Sequence, residues 1–257
     1  MMRATTTFPN RRHLPLAIRV GTIALFLLIW EIAVRLGWVD SLFLASPRDT
    51  FANLAATTTL ALPHLYATMT TFAVALALGV GCALMIGLLL NASGYARITF
   101  LPLLVLGVTI PKVTLLPLFV LWFGIEKTTV IVYAALSAFF PMIVNVAAAG
   151  TEVKPSQVLL AKAMGYGHSQ VYRKVILPAM LPVLASGLFY ACNAAMMGVF
   201  IVELALSRFG MGALIHDLAV TFRTPELYAA VLLTATVTAV INMGLWYLAR
   251  YLGRWRT

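Results

Sequence analysis

Charge is what this sequence has least of. Only 10% of its 257 residues are Asp, Glu, Lys or Arg, against roughly 25% in a soluble domain. A chain so poor in charge cannot cover its surface with groups that water solvates, so its solvent must be largely lipid. Cysteine is scarce too. Cys82 and Cys192 both lie inside apolar runs, which argues against a secretory disulfide framework. The histidines, His13, His64, His168 and His216, are scattered with no two at helical spacing, and no metal site is expected. No glycine is followed by lysine, so there is no phosphate-binding loop of the GxxxxGK[ST] form.

What the chain does have is apolar length. Hydrophobic residues make up 62% of it, with a mean hydropathy of +0.96. A transmembrane helix takes about 20 apolar residues, and the sequence divides into six such runs in one domain, residues 1–257. The expected spans are 16–37, 67–90, 98–123, 128–149, 183–206 and 227–248. The basic N-terminus followed by an apolar run imitates a secretory signal, but the run resumes beyond Glu31 without a prompt small-x-small cleavage site, so it reads as an uncleaved first span. Residues 1–15 form a tail. Between the first two spans, 38–65 reads as a polar stretch in which Ser46 or Asp49 caps a short helix. Gly79, Gly81 and Gly87 in the second span allow close approach of a neighbouring helix.

The third run holds Pro102, Pro111, Pro117 and one charge, Lys112. Proline inside a helix removes a backbone hydrogen bond and kinks the axis, so this span is expected to be bent or broken. Lys112 then reaches a cavity or partner, or else snorkels to a headgroup; both readings stay open. Glu31 and Glu203 are carboxylates within or at the ends of spans, and with Lys112 they are the pathway candidates. Glu203 lies near the predicted outer end of the fifth span, where a gate and a solvated interfacial position are equally open, and Glu31 has pairing with a neighbouring helix as its plainer role. Asn145, Asn193 and Asn242 fit a passage or, more commonly, bonds between helices.

The net charge of +10 sets the orientation. With the N-terminus inside and six alternating spans, Arg3, Arg11, Arg12, Arg19, Arg97, Lys154, Lys162, Arg173, Lys174, Arg250, Arg254 and Arg256 fall on the inner side. Only Arg35, Arg48, Lys127, Arg208 and Arg223 fall outside. Inner loops of membrane proteins retain positive charge, so both termini and the 150–178 loop are expected in the cytoplasm. Those bases sit in short loops rather than on a water-exposed domain, which leaves no case for nucleic acid.

The 150–178 loop carries the most information. Val158 to Met164 is helix-forming and ends at Gly165; Gln170 to Leu177 reads as a second short amphipathic helix stopped by Pro178. Two such helices need something to bury against, headgroups or a partner's groove. Nine residues separate Gly165 from Val175-Ile176-Leu177-Pro178. This stretch resembles the loop signature of ATP-binding-cassette importer permeases: Glu-Ala-Ala, three residues, Gly, nine residues, then Ile-x-Leu-Pro. Ala161 matches the second alanine, Val175 stands for Ile, and Leu159 and Leu160 stand where Glu and Ala are usual. Ile110-Pro111-Lys112-Val113-Thr114-Leu115-Leu116-Pro117-Leu118 with Leu121-Trp122-Phe123-Gly124-Ile125 is similar to the third-span region of the nitrate/sulfonate/taurine-type permeases. So are Trp30-Glu31, Phe140-Pro141, and Val202-Glu203 followed by Gly210-Met211-Gly212.

The resemblance implies an all-α, six-helix permease of the type I importer kind, in a bacterial inner membrane. It implies no enzyme activity and no cofactor in this chain. A separate cytoplasmic ATPase would dock on Leu159, Ala161, Met164, Gly165, His168, Tyr172, Leu177 and Pro178. An extracytoplasmic binding protein would deliver the cargo, and two identical permease copies would form the pore. The cargo implied is a small anion such as nitrate, a sulfonate or taurine, or a vitamin precursor. Two other classes fit less well. An ion-coupled carrier usually needs several buried carboxylates or paired broken repeats, and a membrane enzyme needs clustered nucleophiles, bases or metal ligands; His168 and Tyr172 share the loop but have no carboxylate or cysteine near them in sequence.

Overall fold

The computed structural model describes residues 14–206 and 208–253. Among them every regular element is helical. In chain order these are α1 (Leu14–Arg35), α2 (Pro47–Ala92), α3 (Gly94–Thr109), α4 (Leu116–Phe123), α5 (Lys127–Ala149), α6 (Pro155–Ala163), α7 (His168–Val171), α8 (Leu177–Leu206), α9 (Met211–Val220) and α10 (Thr224–Gly253). Residues 47–91, 127–149, 168–206 and 224–251 are each long and apolar enough to cross a bilayer, and α3 with α4 makes a fifth, broken span bent by 85°. α1 adds a further apolar helix of 22 residues. The tail expected over 1–15 lies, through residue 13, outside the described residues, as do Arg254 and Arg256.

α5 is the centre of the bundle, packed along α2 on one side and α8 on the other. Ala75, Gly79, Ala83 and Gly87 recur every fourth residue of α2, so they fall on one face of that helix. A Cβ on Gly79 would lie 2.9 Å from the Cβ of Ala138, and one on Gly87 would meet Val146 at 2.5 Å. α8 presents Gly187, Ala191, Ala195 and Gly198 to the other side of α5, where a Cβ on Gly198 would lie 3.1 Å from the Cα of Ala134. Lipid tails are as apolar as leucine, so helices in a membrane gain stability from such close contact rather than from escaping water. Gly81, by contrast, faces open space.

Three expectations are corrected. The stretch 38–65 is not mainly loop. Ser46 caps a helix as foreseen, its Oγ accepting from the Asp49 N–H at 3.0 Å, but that helix runs through Pro63 for 46 residues. At 1.5 Å per residue α2 is about 69 Å long, over twice the thickness of a hydrocarbon core of about 30 Å. Its surplus length survives because Ala61 is buried in a second small core with Met211, Leu214 and Leu218 of α9 and Ala230 of α10. Secondly, the stretch between the fifth and sixth expected spans is not simply loop, since α9 lies within it. Thirdly, Pro178 does not stop the helix before it. A π-helical turn over Tyr172–Ile176 precedes it, and residues 168–206 run as one helix of 39 residues. Widening of that turn admits the ring that a regular α-turn would clash with.

The α2–α5 seam makes opposite predictions for two glycines on the same helix. Gly79→Ala should destabilise the purified protein by about 1–3 kcal/mol through overpacking. Gly81→Ala should be neutral or stabilising by up to about 1 kcal/mol. Thermal unfolding of both variants in one detergent checks this, and equal effects would show that the seam is not tight.

Candidate functional site

Two regions hold the residues singled out from the sequence: the α6–α7 loop and three charges in or at the ends of the long helices. α6 opens on Pro155, whose missing N–H falls where a helix has no partner to offer it. It closes on Gly165, at φ +83°. The Gly165 N–H donates to the Lys162 carbonyl at 2.9 Å and the Tyr166 N–H to the Ala161 carbonyl at 3.1 Å. This paired closure needs a left-handed residue at its corner, which glycine occupies without strain. Gly167 starts the next helix, and its N–H is accepted by the Gln170 side chain at 3.3 Å. The Lys174 ammonium sits 4.8 Å above the Tyr166 ring and braces the turn from the α8 side.

Ala161 and Val171 are buried where the two short helices meet, and a small side chain at 161 fits that burial. Leu159, Leu160 and Met164 point outward, Leu159 being 70% exposed and Met164 65%. His168, Tyr172, Leu177 and Pro178 are exposed beside them. α6 stands between two clefts. One, of about 590 Å³, is lined by Leu160, Met164, Tyr166, Lys174 and Pro178; the other, of about 670 Å³, by Leu159, Lys162, Tyr172 and Ile176. All eight loop residues named from the sequence therefore gather on one projection. Leu160, exposed and apolar, lies beside them although it was not among the residues named from the sequence.

The three charged candidates have different surroundings. Glu31 ends α1. Its Oε1 accepts from Arg35 Nε at 2.6 Å and its Oε2 from the Arg48 N–H at 3.2 Å. It thus ties α1 to the N-terminal turn of α2, where unpaired N–H groups favour an anion. Glu203 is fully buried, at 0% exposure, so the solvated interfacial position is excluded. The Thr68 hydroxyl donates to it at 2.8 Å, and the Gly212 N–H at 3.1 Å. The Met211 N–H in turn donates to the Thr68 oxygen at 2.8 Å. His64 Nδ1 lies 3.0 Å from the Gly210 carbonyl; because a carbonyl only accepts, Nδ1 carries the proton. Glu203 therefore clamps the start of α9 to α2 and α8, and Gly212 fits because a Cβ there would meet the Glu203 Cβ at 2.6 Å.

Lys112 has no such set of donors or acceptors fixed upon it. It begins the 3-10 turn at the break between α3 and α4, its ammonium 5.5 Å over the Phe140 ring. A lysine near the bilayer centre costs roughly 2.5–3.5 kcal/mol on insertion scales. Asn242 donates to Asn193 at 2.9 Å, joining α10 to α8, while the Asn145 amide bonds back to the Pro141 carbonyl.

Thr68 was not foreseen, because its partners lie more than 130 residues away in sequence. Thr68→Val keeps the shape but leaves Glu203 and the Met211 N–H without the hydroxyl they share. It should cost about 1–3 kcal/mol and expose the 207–223 segment to protease. Thr68→Ser should remain near the parent in both assays; a Thr68→Val protein as stable as the parent would remove the clamp.

The chain matches the family described as "Binding-protein-dependent transport system inner membrane component" over residues 75–257. It is 32% identical over 238 residues to a Bacillus subtilis protein provisionally named the aliphatic sulfonates transport permease protein SsuC, covering 91% of this chain and 85% of that one. It is 28% identical over 258 residues to the taurine transport system permease protein TauC of Escherichia coli, covering 96% and 92%. Its fold matches a chain of the inward-facing MetNI methionine ABC transporter with a TM-score of 0.64 at 19% identity, over 77% of this chain and 98% of the other. With the all-helical bundle, the broken span and the projecting loop already described, this match over most of the length shows that the chain belongs to the family of inner-membrane permease components of binding-protein-dependent transport systems.

Proposed function

We propose that this permease carries a small sulfonate-class anion, and that a separate cytoplasmic ATPase drives it through the 150–178 loop. The observation that carries the coupling half is the continuous helix over residues 168–206. It begins in the exposed loop, passes the bundle centre, and ends at the Glu203 clamp. A partner that seats Leu159, Leu160 and Met164 in a groove would hold one end of a rigid lever whose other end lies across the membrane. Exposed apolar side chains on a braced projection are the form such a groove accepts. The signature's usual Glu is Leu159 here, so an apolar contact takes the place of a charged one at that position.

Cargo class is supported by the two relatives whose names concern aliphatic sulfonates and taurine. The working unit on this reading has two copies of this chain, two ATPase subunits and a binding protein outside. The chain crosses the membrane six times with α1 as the first crossing, and its basic tails and the loop lie in the cytoplasm, in keeping with the bias of Lys and Arg toward that side.

Affinity purification of the tagged chain from its own membranes tests this reading. An ATP-binding-cassette ATPase should accompany the parent. It should fall at least tenfold in a Leu160→Glu/Met164→Glu variant, whose altered residues are exposed and leave the fold intact, and also in Gly165→Val. ATPase retained by the double variant would move the docking site elsewhere. A parent chain recovered without any ATPase, under conditions where a known importer stays whole, would make a stand-alone carrier the leading reading.

A further inference from the structure

We propose that Lys112 is the anion-holding point of the translocation path: its ammonium, at the break between α3 and α4, receives the sulfonate head as the cargo passes along the cleft that the break forms over α5 and α8. This inference rests on the sulfonate reading above and deepens it.

The break puts the charge there. α3 ends at Thr109, Ile110 and Pro111 are extended, and the chain re-enters helix through one 3-10 turn before α4 leaves at 85°. Pro111 lacks the N–H that would continue α3, and the residue before a proline is pushed out of helical geometry. Lys112 thus leaves the helix at the bend and turns toward α5 and α8. Its side chain lines a cavity of about 260 Å³ with Tyr133 and Ser137 of α5 and Met197, Gly198 and Ile201 of α8. Ser137 lies close to the midpoint of the 23-residue α5, so this is membrane depth and not headgroup level. The snorkelling alternative required the amine to run outward to lipid headgroups; it faces the bundle instead.

The amine is held loosely. Among the described residues no carboxylate lies within ion-pair distance of it, the ion pairs there being Arg35–Glu31 and Arg223–Glu226. It has a ring face at 5.5 Å and one long contact to the Val108 carbonyl at 3.4 Å. A cation inside a membrane bundle pairs with another charge or with backbone carbonyls, or marks an ion or substrate path. Here the pairing is weak enough for an incoming anion to displace.

The cavity also leads somewhere. Met197 and Ile201 line it on one side and, on the other, a second cavity of about 450 Å³ bounded by Asn193, Phe200 and Thr238. The two spaces share these two side chains of α8. Met197 is 67% exposed and unbranched, a side chain that can change rotamer at that boundary. Gly198 beside it keeps α8 close to Ser137, which leaves the passage beside Lys112 narrow. The lever that the loop would move is the same helix that carries Met197.

The test uses the whole importer, permease with its ATPase and binding protein, in proteoliposomes, with a panel of short radiolabelled alkanesulfonates and one uncharged pyrimidine as probes. The parent should accumulate at least one sulfonate. Lys112→Gln should lower that uptake at least tenfold, chiefly by raising KM, and Lys112→Arg should recover most of it. A Lys112→Cys variant in a Cys82→Ser/Cys192→Ser background keeps the test independent of folding. A thiol reagent that attaches an ammonium should restore its uptake, and one that attaches a sulfonate should not. Sulfonate uptake by Lys112→Gln within twofold of the parent, or equal rescue by both reagents, overturns this inference and leaves the cargo reading standing. A parent that takes up the pyrimidine and no sulfonate overturns both.

Discussion

The close seating of α5 between the small-residue faces of α2 and α8 is the constraint on which the rest of the molecule depends. With no hydrophobic drive between helices in lipid, stability must come from backbones near enough for dispersion contacts along their whole length. Ala75, Gly79, Ala83 and Gly87 on one side and Gly187, Ala191, Ala195 and Gly198 on the other supply that nearness. The consequence for α8 is a division of faces. Its small residues are committed to α5, so Asn193, Met197 and Ile201 are left to line open space. α5 likewise offers Tyr133 and Phe140 to the broken span, where Phe119 stacks edge-on against Tyr133 at 5.6 Å and Lys112 lies over Phe140.

A second consequence concerns how motion travels. Proline usually ends a helix or makes it hinge, and a hinge at Pro178 would isolate the loop from the bundle. The π-helical turn at Tyr172–Ile176 absorbs the proline without ending the helix. The loop is braced as well, by the paired hydrogen bonds at Gly165 and by Lys174 over Tyr166. On the coupling reading proposed above, a displacement applied at Met164 would reach α8, whose Met197 and Ile201 line both cavities.

Much of this was legible in the sequence for a simple reason: apolar length and loop spacing are local patterns. The broken third span followed from Pro111 and Pro117, and the turn at Gly165 from a glycine after a helix-forming run. What stayed hidden depends on partners distant in sequence. The polar stretch 38–65 and Pro178 read locally as breaks, but tertiary packing on α9 carries α2 through the first, and a widened turn carries α8 past the second. α9 is only 10 residues long, too short to stand alone in water, and it exists because Glu203, Thr68 and its own glycines hold its first turn. Glu203 and the Gly210-Met211-Gly212 run were each visible; that they bond to one another was not.

The three charges separated from the sequence as one group end in two kinds of environment, and the difference is physical. Glu31 and Glu203 each accept from at least two fixed donors, one of them a backbone N–H in the first turn of a helix. A carboxylate satisfied in that way rigidifies what it joins, since releasing it would strand a charge and its donors together. Such groups suit the frame of a transporter and not its moving path, where every contact with cargo must form and break in each cycle. Lys112 is the converse case. It is cationic, at membrane depth, at a point where the helix is already open, and its contacts are a ring face and a distant carbonyl. Burial alone therefore does not separate a structural charge from a pathway candidate in this bundle; the proposal for Lys112 rests on a partly buried charge without a committed partner, beside a space that a ligand can enter.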